Sequence, residues 1–129
     1  MLRSIIATPD APAAIGPYSQ AIRAGQFVFL SGQIPLDPAN GELVGGDDIE
    51  AQTAQVMRNL GAVLRAAGGG FEHVVKSTIF LTDLGNFTVV NRVYGGHFEG
   101  ISPPARATVQ VSALPRGVKV EIEMTAFLP

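Results

Sequence analysis

Cysteine is absent from the 129 residues. That absence excludes disulfides, thiol nucleophiles and cysteine-ligated metal sites, and it fits a reducing compartment. Histidine is scarce. His73 and His97 stand 24 residues apart, without a spacing typical of metal ligands, so each reads as an ordinary, partly exposed histidine and no metal is expected. An excess of positive charge is also missing. Nine Lys and Arg face eleven Asp and Glu, which is not the footprint of a dedicated nucleic-acid binder. No apolar run is long enough to span a bilayer. The stretch Met1 to Ala7, with one Arg, is too short for a signal peptide. The expectation is a soluble, cytoplasmic protein that engages neither membrane nor nucleic acid.

What is present is enough for a core. Apolar residues make up 47% of the chain, and the length fits one domain, residues 1–129. There is no internal repeat and no linker. Pro9, Pro12 and Pro17 mark an extended, kinked segment up to Tyr18. Ser19 to Arg23 reads as a short strand and Ala24-Gly25-Gln26 as a turn. Phe27 to Ile34, rich in β-branched and aromatic residues, is a strand, followed by a turn cluster at Asp37–Gly41. Ile49, Thr53, Val56, Leu60, Val63, Leu64 and Ala67 recur at steps of three and four and define a helix. Asp47 or Asp48 can cap it, and Gly68-Gly69-Gly70 stops it. Val74 to Leu81 alternates as a strand. Phe87, Val90, Tyr94 and Phe98 outline a shorter second helix, weakened by Gly95 and Gly96. Strands at Ala105–Ala113 and Val118–Phe127 close the chain, joined by Leu114 to Gly117. The pattern is α+β.

Strand parity sorts the side chains into two faces. One is apolar: Val28, Leu30 and Ile34; Val75, Ile79 and Leu81; Ala107, Val109 and Val111; Val118, Val120, Ile122 and Met124. Two helices can cover it. The other is mixed: Phe27, Phe29, Ser31 and Gln33; Lys76, Thr78 and Phe80; Arg106, Thr108 and Gln110; Glu121 and Glu123. Two helices cannot cover both faces, so the mixed face meets water or another subunit. Its large aromatics argue for a subunit, and its polar residues are then candidates for an interfacial site.

Several standard sites are not there. Gly68-Gly69-Gly70 follows a helix instead of leading into one and lacks a phosphate-loop lysine. There is no nucleophile elbow. Asp47-Asp48-Ile49-Glu50 is a helix start that suits the macrodipole. What remains is Arg106 beside Thr108 and Glu121 beside Glu123, on the mixed sides of the last two strands. The bland alternative is a surface ion pair. Tyr18, after Gly16-Pro17, is by default a packing residue with a polar tip, and Asn91 on a helix is by default solvated.

In order along the chain, A-P-A-A-I-G-P-Y-S-Q-A at 11–21, F-L-S-G-Q-I-P at 29–35, V-K-S-T-I-F-L-T-D-L at 75–84, F-T-V-V-N-R-V-Y at 87–94, P-P-A-R-A-T-V-Q-V at 103–111 and L-P-R-G-V-K-V-E-I-E at 114–123 make a specific signature. With these segments the sequence resembles the Rid, or YjgF-like, family of reactive-intermediate deaminases over essentially its whole length. The resemblance implies a chorismate-mutase-like mixed sheet with two helices on one face. It implies a homotrimer with clefts between subunits. It implies hydrolysis of 2-iminobutanoate and 2-iminopropanoate to 2-keto acids and ammonia, without metal or cofactor.

The same resemblance assigns roles. Arg106 is the carboxylate-binding arginine, whose guanidinium fork can hold a planar carboxylate by two parallel hydrogen bonds. Glu121 is the acid that orients or deprotonates water and helps protonate the leaving nitrogen. Tyr18 lines the cleft. Ser31 and Asn91 match polar positions that line or support the site. Thr108 stands where many members carry cysteine. Gly95-Gly96 departs from the usual bulkier helix. Three other readings stay open: a non-catalytic protein that binds a small metabolite in the same cleft, an enzyme for a different imine, and an RNA-acting protein. The intact Arg106 and Glu121 weigh against the first, because carboxylate binding does not require the glutamate. The acidic balance weighs against the last.

Overall fold

The computed structural model describes residues 2–129. Six strands form one sheet: β1 (Arg3–Ile6), β2 (Ala21–Ala24), β3 (Phe27–Gln33), β4 (Val74–Leu81), β5 (Ala105–Gln110) and β6 (Val120–Phe127). Their spatial order is β1-β2-β3-β6-β4-β5. Every neighbouring pair is antiparallel except β4 with β5, which is parallel. A parallel neighbour needs a crossover, and the helix α2 (Phe87–Gly96) supplies it. The longer helix α1 (Ile49–Ala66) connects β3 to β4. The fold is α+β, as its sequence pattern indicates.

The sequence explains the firmness of α1. Asp48 caps it, its side chain accepting from the Glu50 and Ala51 amides. At the other end Gly68 takes φ +90°, and the Gly69 and Gly68 amides donate to the Leu64 and Arg65 carbonyls. That double closure is a Schellman stop, which places glycine just past the helix. Between the caps, Val56, Met57, Leu60, Val63 and Leu64 are fully buried against Ile79, Leu81, Val120 and Ile122. Each such side chain contributes about 1.5–3 kcal/mol of burial. Polar residues on the same helix fasten loops. Asn59 donates to the Leu36 carbonyl at 3.0 Å, and Gln52 accepts from the Lys119 amide at 2.9 Å just before β6.

Apart from the ends of β2, β3, β5 and β6, which shift by one to three residues from the sequence reading, the structure departs from that reading at four places. The first is β1, which lies in the N-terminal stretch read only as extended and kinked, with no strand assigned. Four residues, mostly exposed at a sheet edge, carry too little alternation to declare a strand. The second is β3. Leu30 pairs with Met124 but Gln33 pairs with Ile122, so one extra residue bulges out. A bulge reverses parity beyond it, and Gln33, expected on the mixed face, is buried. The third is β4, where a bulge between Val74 and Lys76 expels Val75 from the apolar face and leaves it exposed.

The fourth reversal matters most. The β4–β5 register pairs Ser77 with Arg106, Ile79 with Thr108 and Leu81 with Gln110. Paired residues share a face, and Ser77, Ile79 and Leu81 belong to the core. Arg106, Thr108 and Gln110 therefore point to the helix side, while Ala107 and Val109 join the open face. Alternation in β5 was legible but its absolute side was not. As an edge strand covered only by the short α2, it does not need its apolar residues on the core side. The open face is nonetheless rich in exposed apolar groups: Ile5, Phe27, Phe29, Val109 and Phe127. The Phe27 ring lies 5.1 Å from Phe127 and 6.1 Å from Phe29.

Candidate active site

Arg106 is held by three side chains of α2. Its Nη1 donates to Asn91 Oδ1 at 2.8 Å. Its guanidinium lies 5.2 Å from the Tyr94 ring and 5.5 Å from the Phe87 ring, within range of a cation–π attraction worth about 0.5–2 kcal/mol. Phe87, Asn91 and Tyr94 fall at steps of four and three, hence on one helix face. Tyr94 is itself pinned, its hydroxyl donating 2.9 Å to the buried Ser77. Burial pushes the Tyr94 phenol up, partly offset by the Ser77 hydrogen bond and the Arg106 charge, so it stays neutral. Asn91, Tyr94, Phe98, Pro104 and Arg106 line a cavity of about 490 Å³. Two residues along β5, the buried Thr108 hydroxyl has no hydrogen-bond partner among the described residues. An unanswered hydroxyl of this kind costs about 1–3 kcal/mol.

Glu121 occupies a different place. It lies on the open face, opposite Phe80 of β4. Burial raises its carboxyl pKa above the ordinary value, and repulsion from Glu123 raises it further. With Tyr18, Ser31, Gly32 and Ile15 it lines a second cavity of about 390 Å³. Ser31 ties the parts together. Its amide donates to the Gln20 carbonyl at 3.0 Å and its hydroxyl to the Ser19 carbonyl at 2.6 Å. With that proton committed, the Ser31 oxygen is left to accept.

The segment carrying Tyr18 is anchored by a residue that sequence reasoning did not single out. Gln20 is buried. Its amide nitrogen donates to the Thr8, Ala11 and Pro12 carbonyls at 3.0, 3.2 and 2.8 Å, and its oxygen accepts from the Thr8 amide at 2.7 Å. The available signal was a glutamine next to a strand, downstream of a proline-rich stretch with no ladder of its own to satisfy its carbonyls. Tyr18 is exposed, and its hydroxyl oxygen accepts from the Ile15 amide at 3.4 Å.

Two groups of the expected residues thus come together separately: Arg106 with Asn91, and Glu121 with Tyr18 and Ser31. Thr108 shares its strand face with Arg106. The expectation that Arg106 and Glu121 share a face of the sheet is corrected. They lie on opposite faces, with β4 interposed between their strands. Among the described residues no group of three or more His, Cys, Asp or Glu could hold a metal, and no helix is long and apolar enough to cross a membrane.

Comparison with known proteins agrees with this architecture. The chain is 63% identical over 128 residues to the protein DfrA of Myxococcus xanthus, covering 98% of this chain and 96% of that one. It is 50% identical over 126 residues to a Mus musculus protein named 2-iminobutanoate/2-iminopropanoate deaminase, covering 98% and 92%. The Rid-family protein YyfA of Yersinia pestis superposes with a TM-score of 0.95 at 51% identity, covering 98% and 99%. The family described as Endoribonuclease L-PSP matches residues 8–128. With these likenesses running essentially the full length of the fold, the chain belongs to the Rid (YjgF, RutC) family.

Proposed function

We propose that the protein hydrolyses 2-iminobutanoate and 2-iminopropanoate to the 2-keto acids and ammonia, in clefts built between copies of a homotrimer. The observation that carries this reading is the division of the site. Arg106 and Glu121 face away from each other across the sheet, so one chain alone cannot offer both to a four-carbon substrate. A cleft between copies would join the Arg106 side of one to the Glu121 side of its neighbour. The exposed rings of Phe27, Phe29 and Phe127 on the open face supply the apolar surface such an association buries. The deaminase name of the mouse relative supports the activity.

The chemistry asks little. A protonated imine is already electrophilic, so the site has only to fix the carboxylate, exclude bulk water and position one water molecule. Arg106 still has free N–H donors after serving Asn91, enough for a two-point grip on a carboxylate. The contact that the resemblance assigns to Thr108 can be made by its backbone, since its hydroxyl is buried. On the far side Glu121 accepts a proton from water as the oxygen adds to the imine carbon. It then returns that proton to the nitrogen. As the C–N bond breaks, the new hydroxyl yields its proton to Glu121, the C=O of the keto acid forms, and the departing ammonia takes up that proton as ammonium, which restores the carboxylate. A raised pKa suits both roles. Ser31, an acceptor only, fits the N–H of the iminium. Tyr18 closes the cleft.

The direct test is a coupled assay in which a threonine dehydratase generates the enamine and imine decay is followed with and without the protein. Faster decay is expected. Keto-acid binding without faster decay would favour the metabolite-binding reading, and turnover restricted to other imines would move the substrate. RNA cleavage in place of imine hydrolysis would overturn the proposal in favour of the activity that the family description names. Shared clefts have a sharper signature. Co-expressed Arg106→Ala and Glu121→Ala chains should regain about a quarter of wild-type activity, since random mixing makes one cleft in four intact. No recovery in confirmed mixed trimers would refute the shared cleft.

A further inference from the structure

Resting on that reading of Glu121, we infer that Gly32 is its positioning residue: the side chain missing at the β3 bulge is the slot in which the Glu121 carboxylate lies. A Cβ built on Gly32 would stand 2.9 Å from Glu121 Cδ and 3.1 Å from Cγ, and closer still to Oε2. Real Cβ atoms do not approach that closely, so the carboxylate would have to leave.

The glycine is not there for its backbone. Gly25 and Gly41 take φ of +62° and +72° with nothing near an added Cβ, so turn geometry demands them. Gly32 has no positive φ. A positive φ is therefore not what requires a glycine here, and the three atoms nearest an added Cβ all belong to Glu121. Nor can the strand retreat. The bulge between Leu30 and Gln33 is held on one side by Ser31, bonded to Ser19 and Gln20, and on the other by the buried Gln33. The bulge that carries Gln33 into the core leaves Gly32 beside Glu121. The slot also accounts for a carboxylate kept partly out of water. Of the groups around it, Glu123 on the same strand is the charged one that acts on it. Tyr18 shares its cavity, while Gly32 on β3 and Phe80 on β4 carry no charge.

Gly32→Ala tests this in the full-length assembled protein. Assembly and circular dichroism should match the wild type. Turnover of 2-iminobutanoate should fall about ten- to a hundredfold, the scale of a misplaced catalytic group, with KM moving less. Adding Glu121→Gln to Gly32→Ala should cost far less than it costs the wild type, because both changes disable one carboxylate. The Glu121 carboxyl, followed by carbon NMR, should titrate lower in Gly32→Ala than in the wild type as it swings into solvent. That titration needs no turnover, so it separates this inference from the deaminase reading. Wild-type turnover with an unchanged titration would overturn the inference. Should Gly32→Ala fail to fold, the variant that also carries Glu121→Ala decides: recovered folding supports the slot, and continued misfolding overturns it.

Discussion

The two halves of the proposed site are held in opposite ways. Arg106 sits on an edge strand and is steadied by one helix, with two aromatic rings and an amide oxygen set at helical intervals. Glu121 sits on an inner strand, and its surroundings come from a bulge, an irregular N-terminal segment and the Gln20 clamp. The cation needs no carboxylate partner, because aromatic faces and an amide oxygen satisfy it without neutralising it. It stays available to an incoming anion. The acid is tuned by withholding water and adding a like charge. One half is built for geometry and the other for proton affinity.

That contrast can be broken from the acid side first. Glu121→Gln keeps the shape and removes the proton shuttle, so kcat should fall by about two to four orders of magnitude while KM changes little. Single-turnover and steady-state kinetics would read this. Unchanged turnover would make Glu121 structural. On the other side, Arg106→Lys keeps the charge and loses the planar fork. Efficiency should fall about ten- to a hundredfold, nearly as far as in Arg106→Ala, from the loss of a charged hydrogen bond worth about 1.5–3 kcal/mol. Both variants must first match the wild type by light scattering. A lysine enzyme of near-native efficiency would show that charge alone suffices.

The smallest effect concerns stability. A carboxyl whose pKa is raised on folding binds its proton more tightly in the native state. The stability it confers is present below the ordinary carboxylate pKa and is lost as pH rises through the raised value. Wild type should therefore lose more stability than Glu121→Gln as pH rises out of the ordinary carboxylate range toward neutrality, and only slightly more, because the group is half-buried and solvent screens it. Urea unfolding at fixed protein concentration would show the difference. Parallel pH curves would mean that the carboxyl is not perturbed.

The residues of the two clusters stood out in the sequence as candidates, but their division between the faces did not. Periodicity and capping made α1 plain, and β4 was bounded correctly because its hydrophobic alternation is strong. Parity then misled at Gln33 and Val75, since a bulge leaves no reliable mark on side-chain type. It misled at Arg106 as well. Alternation says which residues share a face but not which face that is, and strand order, which put β4 between β5 and β6, is not encoded in either strand. Gln20 and Gly32 were within the recognised segments yet unremarked, because what each does depends on groups brought near only by folding.

Gln20 has a consequence for how the molecule opens. Residues 8 to 12 lean on one side-chain amide in place of a strand ladder. Such a segment can detach as a unit, with the sheet and α1 intact behind it. Its hydrogen-exchange protection then measures a local equilibrium rather than global unfolding: the Thr8 amide is shielded for as long as the Gln20 carboxamide stays seated. Tyr18, two residues before that anchor, would share its excursions, so the mouth of the Glu121 cavity can breathe on a timescale of its own while the carboxylate beneath stays where β6 holds it.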